Sequence, residues 1–92
     1  MPLTRQEIGT FDYDRGIVEF TMRDGEATVR CAISTAALDD IEASSGTKPD
    51  KRIDQFIRLR DRIEERASRK FDAGSLEARD PKVVLRSKDF VA

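Results

Sequence analysis

Histidine is absent from this 92-residue chain. That removes imidazole acid–base chemistry and histidine metal ligation together. The one cysteine, Cys31, has no partner for an internal disulfide and no companions for a zinc site of the usual Cys/His kind. A lone thiol suits a reducing compartment, so a cytoplasmic location is expected. No apolar run approaches the ~20 residues needed to span a bilayer. The polar opening Met1-Pro2-Leu3-Thr4-Arg5-Gln6-Glu7 is unlike a secretory signal. The five glycines never take a G-x-G-x-x-G or phosphate-loop spacing, so no nucleotide motif is present and no cofactor is implied. Ser45-Gly46-Thr47-Lys48 fits the S-x-x-K spacing of some acyl-transfer enzymes. Its serine falls at a helix end, where those enzymes place it at a helix start in a cleft, and their other signatures are missing. With no catalytic constellation visible, the chain reads as non-enzymatic.

Charge is what the chain has in abundance. Charged residues make up 38% of it and hydrophobic residues another 38%, enough periodic Leu, Ile, Val and Phe for one modest core. The net charge of −1 hides a partition. Residues 1–46 carry four basic and nine acidic side chains, while residues 48–70 carry nine basic and five acidic. An acidic front and a basic helix attract each other, either within one chain or between two copies.

The clearest local signal runs from Ile17 to Leu38. Val18, Phe20 and Met22 alternate with Glu19, Thr21 and Arg23; beyond Asp24-Gly25, Ala27, Val29, Cys31 and Ile33 alternate with Thr28 and Arg30. Asp-Gly between two alternating runs predicts a hairpin whose two turn residues take positive φ. That register sets Arg23 opposite Glu26, Thr21 opposite Thr28 and Glu19 opposite Arg30. On the core face it pairs Met22 with Ala27, Phe20 with Val29 and Val18 with Cys31. A thiol so placed is a packing group, not a nucleophile.

Elsewhere the reading is coarser. Residues 1–9 show no pattern and are expected to be loosely held, with residues 10–92 forming one domain. Phe11-Asp12-Tyr13 reads as a short edge strand turning back at Asp14-Arg15-Gly16. Ser34 or Thr35 caps a short helix from Thr35 to about Ala43, ended by Ser44-Ser45-Gly46. Asp39, Asp40 and Glu42 on that helix read as a solvated acidic face, too few oxygens for a calcium site. Thr47 is placed to cap a second helix, with Pro49 in its first turn and Asp50 at the capping-box distance. It should run to about Asp72 and stop before Gly74. Pro81 opens a last strand, Lys82 to Ser87, and Phe90 docks as an anchor.

On the long helix Ile53, Phe56, Ile57, Ile63, Ala67 and Phe71 form one apolar stripe. Lys51, Arg58, Arg62, Arg66 and Arg69 share the opposite side, with Asp54→Arg58 and Glu65→Arg69 as acid-first pairs. Arg60 and Glu64 interrupt the stripe, either as a pair at the packing edge or as a polar anchor in a groove or dimer interface. These seven charged residues are the candidate binding positions. For the basic stripe a solvated face is the favoured reading over phosphate contact, because the pI near 5.5 and the lack of an exposed aromatic series both speak against nucleic acid.

Val18-x-Phe20, the Asp24-Gly25 turn and Cys31-Ala32-Ile33-Ser34-x-x-Ala37-Leu38 together resemble a family of small bacterial proteins defined as a domain of unknown function. Phe56 with Arg60-x-Arg62-Ile63-Glu64, then Val84-Leu85-Arg86 and Asp89-Phe90, extend the resemblance from about Phe11 to Phe90. It implies a stand-alone cytoplasmic α+β protein in bacteria and carries over no catalytic residue. The predicted fold is a small antiparallel sheet, made of the hairpin and the C-terminal strand, with two helices on one face in the order β-β-α-α-β. The expected role is a protein-interaction module, self-associating through an open sheet edge, with no membrane partner. An accessory nucleic-acid binder using the basic helix face is the alternative.

Overall fold

The computed structural model describes residues 3–43 and 46–90. The chain folds as β1 (Thr4–Asp12), β2 (Ile17–Asp24), β3 (Ala27–Ser34), α1 (Thr35–Glu42), α2 (Arg52–Asp72) and β4 (Val83–Leu85), with single 3-10 turns at Pro49–Lys51 and Ser87–Phe90. The sheet order is β1-β2-β3-β4, and both helices pack on one face, giving the expected two-layer α+β domain.

Two features depart from the expected order. A long first strand precedes the hairpin, so the order is β-β-β-α-α-β. The last strand pairs parallel to β3, with Cys31 beside Val83 and Ile33 beside Leu85, so the sheet is mixed. Residues 4–9, expected to be loosely held, form most of β1. Its pairing with β2 slips between Arg5 and Ile8 and again between Ile8 and Phe11. Each slip breaks the period-two alternation that marks a strand in sequence. Gly9 lies between them, and a Cβ there would stand 2.8 Å from the Glu19 carbonyl oxygen. Glycine permits that close backbone approach, and its small size also hides the strand.

The hairpin forms as read, but two residues out of register. Asp24 pairs with Ala27, Met22 with Val29, Phe20 with Cys31 and Val18 with Ile33. The loop is therefore Gly25-Glu26, and Gly25 takes the positive φ of 62° while Glu26 does not. Glycine first in a two-residue loop is the type II′ pattern, which needs only one positive φ and frees Asp24 to extend the ladder. A slip of two keeps every side chain on its face. Glu19 and Arg30 still meet at 3.6 Å, now diagonally.

Val18, Phe20, Met22, Val29, Cys31, Ile33, Val83 and Leu85 fill the covered face and meet Ala37, Leu38, Phe56, Ile63 and Ala67 from the helices. Phe20 and Phe56 stack tilted, with centroids 5.0 Å apart. Ile57, expected in the stripe, is 52% exposed. Leu59 packs partly on the core, and Gln55, Arg52, Glu64, Ser68 and Lys70 are buried polar positions on the same helix.

Ser34 caps α1, its Oγ accepting from the Ala37 N–H at 3.1 Å. Ala43, not Gly46, takes the left-handed C-terminal position at φ 55°; Ser44 and Ser45, read as part of the helix end, lie outside the described residues. Thr47 does not cap α2, which starts from a 3-10 turn with no side-chain cap. Its hydroxyl donates instead to Asp39 Oδ1 at 2.9 Å. At the far end Gly74 N–H bonds the Phe71 carbonyl and Ser75 N–H the Lys70 carbonyl, ending the helix where expected. Phe90 docks partly on the core, as expected.

Candidate functional site

The basic side of α2 is largely satisfied by the chain itself. Arg58 does not pair with Asp54; its Nε and Nη2 donate to Glu42 at 2.9 and 3.1 Å. Arg69 meets Glu65 at 2.8 Å, the one acid-first pair that forms as read. Arg66 Nε donates to the Asp89 carbonyl at 2.5 Å. Lys51 and Arg62 make no ion pair among the described residues.

Arg60 and Glu64 face β1. Glu64 Oε2 accepts from Arg60 Nε at 2.9 Å and its Oε1 accepts from Arg5 Nε at 2.7 Å, while Arg5 Nη2 reaches Asp61 at 2.6 Å. Beside them the Leu3 N–H donates to Ser68 Oγ at 2.7 Å. The residues that interrupt the apolar stripe thus hold the first strand onto the helix. Hydrophobic periodicity carries no trace of Arg5 as their partner, since it lies some sixty residues away.

A second polar cluster joins α1 to α2. Asp39 accepts from Arg52 Nη1 at 2.7 Å, Arg52 Nη2 at 3.2 Å, Thr47 and Gln55 Nε2 at 3.0 Å. The fully buried Gln55 also donates to Glu42 Oε1 at 3.0 Å and accepts from Arg52 at 2.8 Å. The Arg52 hydrogen bond, aided by Gln55 and Thr47 against an opposing burial effect, holds the Asp39 carboxyl down to about 2. Arg58 does the same for Glu42, lowering it from the usual range. The solvated acidic face expected here is, for these two residues, an interhelical clamp. Such carboxylates stay ionised at neutral pH and are poor proton-transfer groups. Cys31 is the opposite case: burial first, then the nearby Glu64 charge, pushes its thiol up to about 12. It is inert, as its place in the alternation predicts.

A broad concavity opens on the sheet face that carries no helix. Its floor is Ile17, Ala36, Pro81 and Val84, and it encloses about 830 Å³. Ile17 and Val84 face it because they alternate with core residues on their strands. The connector from Glu77 to Asp80 forms one wall and is braced at several points. Glu77 N–H donates to the Lys82 carbonyl at 2.8 Å, Lys82 Nζ to the Ala78 carbonyl at 3.2 Å, Arg86 meets Glu77 at 3.6 Å and Arg30 meets Asp80 at 4.0 Å. Arg15, Arg79, Arg86 and Lys88 stand around it, against Glu77 and Asp80. Sequence reasoning missed this cleft because its residues come from four separate segments.

No group of three or more metal-ligating side chains occurs among the described residues, and none of their helices is long and apolar enough to cross a membrane. A family model described as a protein of unknown function, DUF1488, matches residues 6–81. The chain belongs to the DUF1488 family. A solved DUF1488 protein of unknown function from Shewanella loihica PV-4 is 21% identical, over 92% of this chain and 91% of that one, with a TM-score of 0.75. That likeness shows that the two share the DUF1488 fold. No curated protein matches.

Proposed function

We propose that this DUF1488 chain is a non-enzymatic protein-interaction module whose contact surface is the cleft on the helix-free sheet face. One observation carries the reading: a concavity with a charged rim and a partly apolar lining, in which Ala36 is exposed and Val84 half-buried, its wall tied down by the bonds of the 77–82 connector before any partner arrives. Pre-ordered walls reduce the entropy lost on binding. The self-association first expected from an open sheet edge finds less support. β1 is broken by two register shifts, a device that discourages edge pairing. On the other edge the Val84 carbonyl is taken by Lys70 Nζ at 2.8 Å.

The nucleic-acid alternative rests on Lys51 and Arg62, while Arg58, Arg66 and Arg69 spend their charge on carboxylates or carbonyls of the same chain. Immobilised wild-type protein should capture a reproducible partner from nuclease-treated bacterial extract. The double variant Arg79→Glu/Lys88→Glu should lose it, and the α2 variant Lys51→Glu/Arg62→Glu should keep it. Capture that follows the α2 variant, or vanishes with nuclease, overturns the reading.

A further inference from the structure

The cleft has a sign. Arg79 and Lys88 are exposed on its rim and make no ion pair or hydrogen bond among the described residues. Arg86 pairs with Glu77 at 3.6 Å while about half of its side chain stays exposed, and Arg15 lies 3.9 Å from Asp12. Four cations therefore surround an apolar floor that faces two carboxylates, Glu77 and Asp80, both already engaged by arginines. On α2, by contrast, most of the arginines are closed off by the chain's own carboxylates. Among the described residues unpaired cations also remain at Lys51 and Arg62, but at the cleft Arg79 and Lys88 stand beside a concave, partly apolar lining.

We infer that the cleft takes an acidic, apolar-punctuated segment of a partner protein, its leucine- or valine-like side chains on Ile17, Ala36, Pro81 and Val84 and its carboxylates on Arg79, Lys88 and Arg86. This rests on the interaction-module reading and adds the chemistry of the partner to it. Charge complementarity names the occupant. A nucleic acid fits less well, because no aromatic ring lines the cleft for base stacking. Arg79 and Lys88 lie on a bend and a 3-10 turn, outside the packed core, so they are free to be exchanged without loss of fold.

The test is amide-shift mapping of the isotope-labelled full chain with four probes. They are a short synthetic peptide alternating glutamate and leucine, its glutamine–leucine and lysine–leucine counterparts, and a single-stranded oligonucleotide. The inference expects the glutamate–leucine peptide to shift amides at Arg15, Ile17 and 77–88, more weakly as salt rises. Arg79→Glu/Lys88→Glu should weaken that peptide roughly tenfold or more while leaving the melting temperature in place. Equal shifts from the glutamine–leucine peptide would overturn the acidic specificity and leave the interaction module standing. Shifts at the cleft from the oligonucleotide alone would overturn the choice of a protein partner. If no probe moves the cleft amides, the inference is wrong, and the capture experiment then decides separately whether the module reading survives.

Discussion

Asp39 accepts side-chain hydrogen bonds from Arg52, Gln55 and Thr47, and its behaviour with pH is calculable in sign. Its folded carboxyl titrates near 2, below the ~3.9 of an unfolded aspartate. The stabilisation it contributes is therefore present above about pH 4 and is lost as pH falls through 2. Urea midpoints should drop across that window, and Asp39→Asn should flatten the drop. Asp39→Ala strands the buried Arg52 and Gln55, and should cost roughly 3–5 kcal/mol by chemical denaturation. Cys31 gives an independent check on the core. Burial raises its thiol to about 12, so iodoacetamide at neutral pH should modify it only after unfolding. Its sign is the reverse of Asp39: the neutral thiol favours the fold below the ~8.5 of a free cysteine, and that preference fades as pH climbs towards 12.

Among the elements, the connection after α1 holds a small strain that can be relieved. Ala43 sits at φ 55° and ψ 40°, a left-handed position that glycine adopts without the Cβ clash. Ala43→Gly should raise stability by about 0.5–1 kcal/mol, after the extra backbone entropy of glycine is set against the relief. At Gly9 the change runs the other way. Gly9→Val forces a Cβ against the Glu19 carbonyl and should loosen β1, read as faster hydrogen exchange along residues 4–12. These two positions also show where legibility in the sequence ends. The hairpin was readable because period-two alternation survives a register error of two, which leaves Phe20, Val29 and Cys31 on the same face. Only the end of β1, Phe11-Asp12 before the turn at Gly16, was readable; residues 4–9 were not, because two slips and a glycine erase their alternation. Helix α2 was readable from its stripe, yet the exposure of Ile57 and the burial of Gln55 follow from which neighbours α1 and β1 bring, and no local pattern records them.

At the scale of the molecule, the charge partition seen in the sequence proves to be bonding. The acidic first half supplies Asp39 and Glu42 to α2, and α2 supplies Asp61 and Glu64 to Arg5. At the C-terminal end Lys70 Nζ reaches Asp89 at 3.0 Å, both nearly buried, and Asp89 also accepts from the Arg86 N–H at 2.8 Å. Burial alone would push that carboxyl up, but the Arg86 N–H, Lys70 and Arg66 outweigh it and hold it below its usual range. Lys70→Met leaves Asp89 without its main side-chain partner and should cost about 3–5 kcal/mol in thermal or urea unfolding. Residue types and spacing announced a charged α+β domain but not the cleft, whose rim joins the β1–β2 turn, the start of α1, the 77–81 connector and the last turn of the chain. The parallel pairing of β3 with β4 has a further consequence. Val83 and Leu85 complete the core beside Cys31 and Ile33, about 50 residues after those partners are synthesised. During translation the hairpin, α1 and α2 emerge before β4, so the core edge beside β3 is closed only when the last strand leaves the ribosome.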